Sequence, residues 1–207
     1  MNKELDSSNF VSIQNIPNIT LDIRYFTEYN FVGSRVDGYE APKALLTKEA
    51  YEKLLCANKQ FNDLGYGIIV YDTYRPMKAV RHFVRWAKDV NDTKMKNIFY
   101  PDVDKKDLFK LDYISDKSSH SRGSTIDLTL FDLNTKEELD MGSPFDFFSE
   151  ISHSDYTKGL TNKQIENRKL LKEIMINNGF KPLYSEWWHF TLEDEPYKDT
   201  YFEFSII

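Results

Sequence analysis

Hydrophobic and polar positions follow two rhythms along the chain, one of period two and one near 3.6, and each stretch predicts an element. Between 47 and 64 the spacing is helical, with Thr47 as N-cap and Gly65-Tyr66-Gly67 as the stop. The run Gly67-Ile68-Ile69-Val70-Tyr71, β-branched and aromatic, predicts a buried strand that delivers Asp72, Tyr74 and Arg75 at its end. Pro76 then opens a second helix reaching about 90, with Met77, Val80, Phe83, Val84 and Ala87 as its apolar stripe. From 124 to 131 the alternation is clean: Ile126, Leu128 and Leu130 fall on one face, Thr125, Asp127 and Thr129 on the other. That strand turns Asp127 away from the apolar layer, toward a polar cleft. A third helix from 162 to 178 buries Ile165, Leu170, Leu171, Ile174 and Met175 and stops at Gly179, and a strand follows from 187 to 192. Residues 1 to 18 read as a polar lead-in with one or two extended pieces, 19 to 42 as irregular chain, and 91 to 117 as a polar stretch without assignable period.

Strands and helices are separated rather than strictly alternating, so the expected class is α+β, with a mainly antiparallel sheet flanked by helices. At 207 residues, without repeats or linker-like tracts, the whole chain 1–207 fits one domain able to bury a core without staples. The 33 acidic and 27 basic residues are well mixed and leave a net charge of -6, so no basic face exists to neutralise phosphates. Nucleic acid and membrane are therefore not expected as partners. A single cysteine, Cys56, excludes an internal disulfide, and no apolar run is long enough to span a bilayer. With no secretory signal visible at the start, the expected compartment is the cytoplasm. The sequence does not give an oligomeric state.

The chemistry concentrates in two short segments. Ser119-His120-Ser121-Arg122-Gly123-Ser124-Thr125-Ile126-Asp127 and Glu186-Trp187-Trp188-His189 offer two imidazoles, one carboxylate and a further Glu. Three protein ligands with an open position for water, plus a nearby carboxylate to move protons, is the inventory of a hydrolytic zinc site. His120 lies in a Ser/Gly-rich loop entering the strand of Asp127, and Gly123 permits the fold-back that lets the two converge. His189, on a remote strand, completes the set. No H-E-x-x-H occurs in the chain. Two His and one carboxylate also describe non-haem iron oxygenases, but those usually hold His and Asp nearly adjacent and need no proton-shuttling Glu. The gap between His120 and Asp127, together with Glu186, favours zinc and hydrolysis. Of the other histidines, neither His82 nor His153 is assigned a role.

Taken together, Ser118 to Leu130 and Glu186-Trp187-Trp188-His189 closely resemble the zinc D-alanyl-D-alanine dipeptidases of the vancomycin-resistance type. The likeness extends through Val36-Asp37-Gly38-Tyr39-Glu40, Tyr74-Arg75-Pro76, Met141-Gly142-Ser143-Pro144-Phe145-Asp146-Phe147 and Asp194-Glu195-Pro196-Tyr197, in the same order. Thr125 stands where small residues such as Ala are common. The resemblance implies the fold shared by D-Ala-D-Ala peptidases and hedgehog-type domains, with one Zn2+ per chain on His120, Asp127 and His189. It implies Glu186 as catalytic base and Arg75 as partner of the substrate carbonyl. By the same likeness, Tyr25 and Asp146 receive the ammonium of the substrate, while Ser118 and Tyr39 neighbour its carboxylate. The implied reaction is hydrolysis of free D-Ala-D-Ala to two D-alanines, serving glycopeptide resistance or recovery of D-alanine from wall turnover. Two rivals remain open at this level: a D,D- or L,D-carboxypeptidase acting on longer wall peptides, and a binding domain with a non-catalytic zinc.

Overall fold

The computed structural model describes residues 7–111 and 113–207; the first six residues of the expected lead-in lie outside it. In chain order the strands are β1 (Phe10–Ser12), β2 (Ile19–Leu21), β3 (Leu45–Thr47), β4 (Tyr66–Asp72), β5 (Thr125–Asp132), β6 (Phe180–Leu183) and β7 (Glu186–Leu192). The α-helices are α1 (Lys48–Asp63), α2 (Met77–Lys88), the single turn α3 (Lys96–Phe99) and α4 (Asn162–Asn177). Five strands form one sheet in the order β2-β4-β5-β7-β6, and β1 pairs with β3 in a second, two-stranded one. Only β2 and β4 run parallel; the other pairs are antiparallel, which gives the α+β architecture with a mostly antiparallel sheet.

Local chemistry explains the element ends. The Thr47 hydroxyl accepts from the Ala50 amide at the start of α1, and Thr161 and Gln164 close a reciprocal capping box on α4. Pro76 is the N-cap of α2 rather than a residue within its first turn. The turn after α1 uses Gly65 at φ 88°, and Gly179 beyond α4 takes φ 86°, both left-handed positions that suit glycine.

The core forms where the apolar faces of β4, β5 and β7 meet the helices: Ile68, Val70, Leu128, Leu130, Phe190, Leu54 and Leu171 are all buried. Beside it, Phe31 joins rings of Phe83, Trp86 and Phe148 at centroid distances of 4.9–5.2 Å. Asp127 does face away from the apolar layer into a polar cleft, and the second face of β5 is covered as well, since Thr125, Asp127 and Thr129 are as buried as the apolar residues between them. Strict alternation read from sequence marks two faces but not what covers each.

A register shift between Val70 and Asp72 matters for the site. Val70 pairs with Leu128, yet Asp72 rather than Tyr71 pairs with Asp127, so a bulge moves Asp72 onto the face of Asp127. Asp127 in turn pairs with His189 on β7. Three adjacent strands thus present Asp72, Asp127 and His189 in one row.

Candidate metal centre and its cleft

His120 reaches that row from the 3-10 helix Ser119–Arg122, which leads into β5 through Gly123 at φ 86°. A Cβ at Gly123 would stand 2.3 Å from the ring of Phe10, so both the backbone angle and the space demand glycine. The chain is held from the far side as well: Thr47 N donates to Gly123 O at 2.8 Å, and Phe202 N donates to Ser121 O at 2.8 Å. The Arg122 guanidinium makes a two-pronged contact with Glu195, at 2.9 and 2.7 Å.

Ligand atoms of three buried residues converge. His120 Nε2 lies 3.2 Å from Asp127 Oδ2, His189 Nδ1 lies 3.2 Å from Asp127 Oδ1, and the two ring nitrogens are 3.3 Å apart. A tetrahedral ion with arms of about 2.0 Å requires ligand separations of about 3.3 Å. Each carboxylate oxygen meets one imidazole nitrogen at that spacing, and one ligand atom from each of His120, Asp127 and His189 lies within 4.8 Å of the others, so the donor set fits such an ion. His120 Nδ1 donates to the Thr73 carbonyl at 2.6 Å, which leaves the Nε2 lone pair facing the site. His189 Nε2 sits against the hydroxyls of Ser119 and Thr191 at 3.2 and 3.3 Å, leaving Nδ1 inward. Asp127 Oδ1 is buried with no hydrogen-bond donor, although His189 Nδ1 is nearby, so that close approach lacks hydrogen-bond geometry. A cation between them satisfies both.

Electrostatics agree. Burial alone raises the Asp127 carboxyl, but His120 and His189 outweigh it and hold its pKa well below the usual carboxylate range. Burial likewise lowers the His189 imidazole, but Asp127 and Glu186 overcome that and raise it to about 9. A buried imidazole held so basic is a position that demands positive charge. Glu186, three residues before His189 at the start of β7, puts Oε2 3.3 Å from His189 Nδ1 and keeps its side chain 28% exposed.

A cleft of about 220 Å³ opens on this centre, smaller than the pockets that hold drug-sized ligands. Tyr25, Arg75, Ser118, Asp146 and Glu186 line it beside His120, Asp127 and His189. Arg75 follows β4; its Nε donates to Asp72 Oδ2 at 2.9 Å, and a terminal nitrogen lies 3.7 Å from Asp127 Oδ2. Its guanidinium lies over the rings of Tyr25 and Phe83 at 4.9 and 5.2 Å. Burial works against that charge, yet Tyr25, Asp72, Tyr39 and Asp127 together raise its pKa well above normal. Tyr25 donates its hydroxyl to Asp146 Oδ2 at 2.8 Å. Burial, reinforced by Asp127 and Glu186, lifts the Asp146 carboxyl well above its ordinary value despite that bond. Ser118 caps the His120 helix, its hydroxyl accepting from His120 N at 3.3 Å.

Tyr39 stands elsewhere. It is fully buried and does not line the cleft; its hydroxyl donates to Asp72 Oδ1 at 2.7 Å, behind Arg75. Asp72, the Thr73 carbonyl and Ser119 are supporting groups to which sequence reasoning assigned no role. The signal for Asp72 was present, a charge at the end of an apolar strand three residues before Arg75.

The comparisons with known proteins follow the same lines. The profile of the peptidase M15 family, described as D-ala-D-ala dipeptidase, matches residues 6–207. A D-alanyl-D-alanine dipeptidase of Enterococcus faecalis is 45% identical over 185 residues, covering 89% of this chain and 91% of its own. Proteins of that name from Streptomyces coelicolor and Escherichia coli are 40% and 32% identical, covering 92% and 90% of this chain and 94% and 86% of their own. A buried His-Asp-His centre, a carboxylate beside it and a match along almost the whole length lead to one assignment: this chain belongs to the M15 metallopeptidase family of D-Ala-D-Ala dipeptidases.

Proposed function

We propose that the protein hydrolyses free D-Ala-D-Ala to two molecules of D-alanine, using one zinc ion held by His120, Asp127 and His189. The observation that carries the reading is the convergence of buried ligand atoms from His120, Asp127 and His189, one from each within 4.8 Å of the others, at the base of a cleft lined by Glu186 and Asp146. When bound, zinc supplies a Lewis acid that acidifies a water and polarises the scissile carbonyl.

The chain does the rest. Glu186, close to His189 and still partly open to solvent, takes the proton of the attacking water and returns it to the departing amine. Arg75 keeps its charge, and its fork, fixed by Asp72, meets the oxygen that becomes negative. Tyr39 acts one step back by holding Asp72. Asp146 and Tyr25 receive the substrate ammonium, and Ser118 with its neighbouring backbone stands at the carboxylate end.

Specificity follows from Asp146. A free dipeptide brings a cation to a buried acid, whereas an N-acylated one leaves that acid with the Tyr25 hydroxyl alone, at a cost of about 1–3 kcal/mol. That corresponds to about 5- to 150-fold in rate. The same proposal sets the reaction in the cytoplasm, for glycopeptide resistance or for recovery of D-alanine; among the described residues no helix is long and apolar enough to cross a membrane. The test compares release of D-alanine from free D-Ala-D-Ala with release from its N-acetyl form and from a muropeptide. Preference for the free dipeptide supports the reading; equal rates on longer peptides would replace it with a carboxypeptidase.

A further inference from the structure

The pattern of α4 predicts a buried apolar stripe, but Asn167 and Arg168 are buried too, in places where that pattern has no use for polar groups. Arg168 directs its donors at a single loop. Nε donates to Met141 O at 2.5 Å, one terminal nitrogen to His153 O at 3.1 Å, and the other to Ile151 O at 2.9 Å and Ser143 Oγ at 3.3 Å. Asn167 adds a bond to Asp140 O at 2.9 Å. The loop so gripped at both ends carries Asp146, which sits at φ 60°, a left-handed angle that a residue with a Cβ adopts only where its surroundings impose it.

Two further facts separate this from an ordinary ion pair. All four Arg168 partners are neutral carbonyls or a hydroxyl, so what the residue supplies to the loop is a planar set of donors. Ser143, one of those partners, also accepts from Trp187 Nε1 at 3.0 Å, which ties the loop to the strand residue next to Glu186. Arg168 itself does not line the cleft.

We propose that Arg168 is a positioning residue for substrate selection: by holding both ends of the 141–153 loop it sets Asp146 at the depth where a dipeptide ammonium meets it. The inference rests on the reading of Asp146 given above. Its test uses Arg168→Met and Arg168→Lys, with kcat and KM measured on free and N-acetylated D-Ala-D-Ala, and metal content determined alongside. For Arg168→Met the preference for the free dipeptide falls about tenfold, through KM, while one metal per chain is retained and the slow acetylated reaction is preserved. Arg168→Lys, which keeps the charge but lacks the fork, falls partway, and it carries the same test should the methionine variant not fold. Both reactions falling together, or an unchanged preference, overturns the proposal. Asp146→Asn serves as the reference. If it leaves the preference unaltered, the ammonium reading itself has failed; if it abolishes the preference while the Arg168 variants keep it, only the positioning role has.

Discussion

Glu186 and Asp146 are carboxylates on the walls of one cleft, and their surroundings give them different work. Glu186 keeps contact with solvent beside His189, which suits the proton transfer proposed for it. Replacing it with Gln should lower turnover by about 10²–10⁴-fold and leave the metal in place, because it is not one of the three convergent ligands. Metal analysis of the purified variant beside its rate checks both halves. Asp146 is buried against the Tyr25 hydroxyl, and burial raises its pKa. The folded state therefore binds that proton more tightly than the unfolded chain does. Stability from this group is complete below the ordinary carboxylate pKa near 4 and is lost as pH rises through the raised value. Asp146→Asn, which can still accept from Tyr25, should melt with the wild type at pH 4 and above it at pH 7.5. Thermal denaturation of metal-free protein at the two pH values decides this, and coincident melting at both would contradict it.

Elements carry the site as much as residues do. The register of β4, β5 and β7 aligns Asp72, Asp127 and His189, and the bend at Gly123 returns His120 to them. Gly123→Ala should cost about 1–2 kcal/mol from backbone angle alone, with a further penalty from the Phe10 ring, and should weaken metal binding more than it weakens α1 or α4. Melting temperature and metal affinity read those two effects separately. Much of this was legible in the sequence. Helical period and caps marked α1, α2 and α4 to within a few residues, and alternation marked β5, because local sequence determines both. What escaped depends on long-range geometry. The bulge before Asp72, the burial of both faces of β5, and the turning of Tyr39 onto Asp72 come from how distant segments pack, which no local period encodes. Arg168 escaped for a related reason: a cation on a helix reads as solvated until the loop it grips is known.

On the scale of the whole molecule, the proposed ligands come from two segments about seventy residues apart in sequence, one entering the middle of the sheet and one on its neighbouring strand. An ion held by both acts as a bridge between them, and only the folded chain offers the complete set. Binding therefore stabilises the fold, by about 4 kcal/mol when free metal is a thousand times its Kd. For a domain of this size that is a rise in Tm of about 8–16 °C. Glu186→Gln should retain the rise and His189→Ala should lose most of it, as differential scanning calorimetry with and without chelator will show. The most direct test of the central claim is a titration of metal-free protein with zinc, following D-alanine released from free D-Ala-D-Ala. Activity should climb linearly and stop at one equivalent per chain. Full activity before any zinc is added, or a plateau unrelated to one equivalent, would contradict the account.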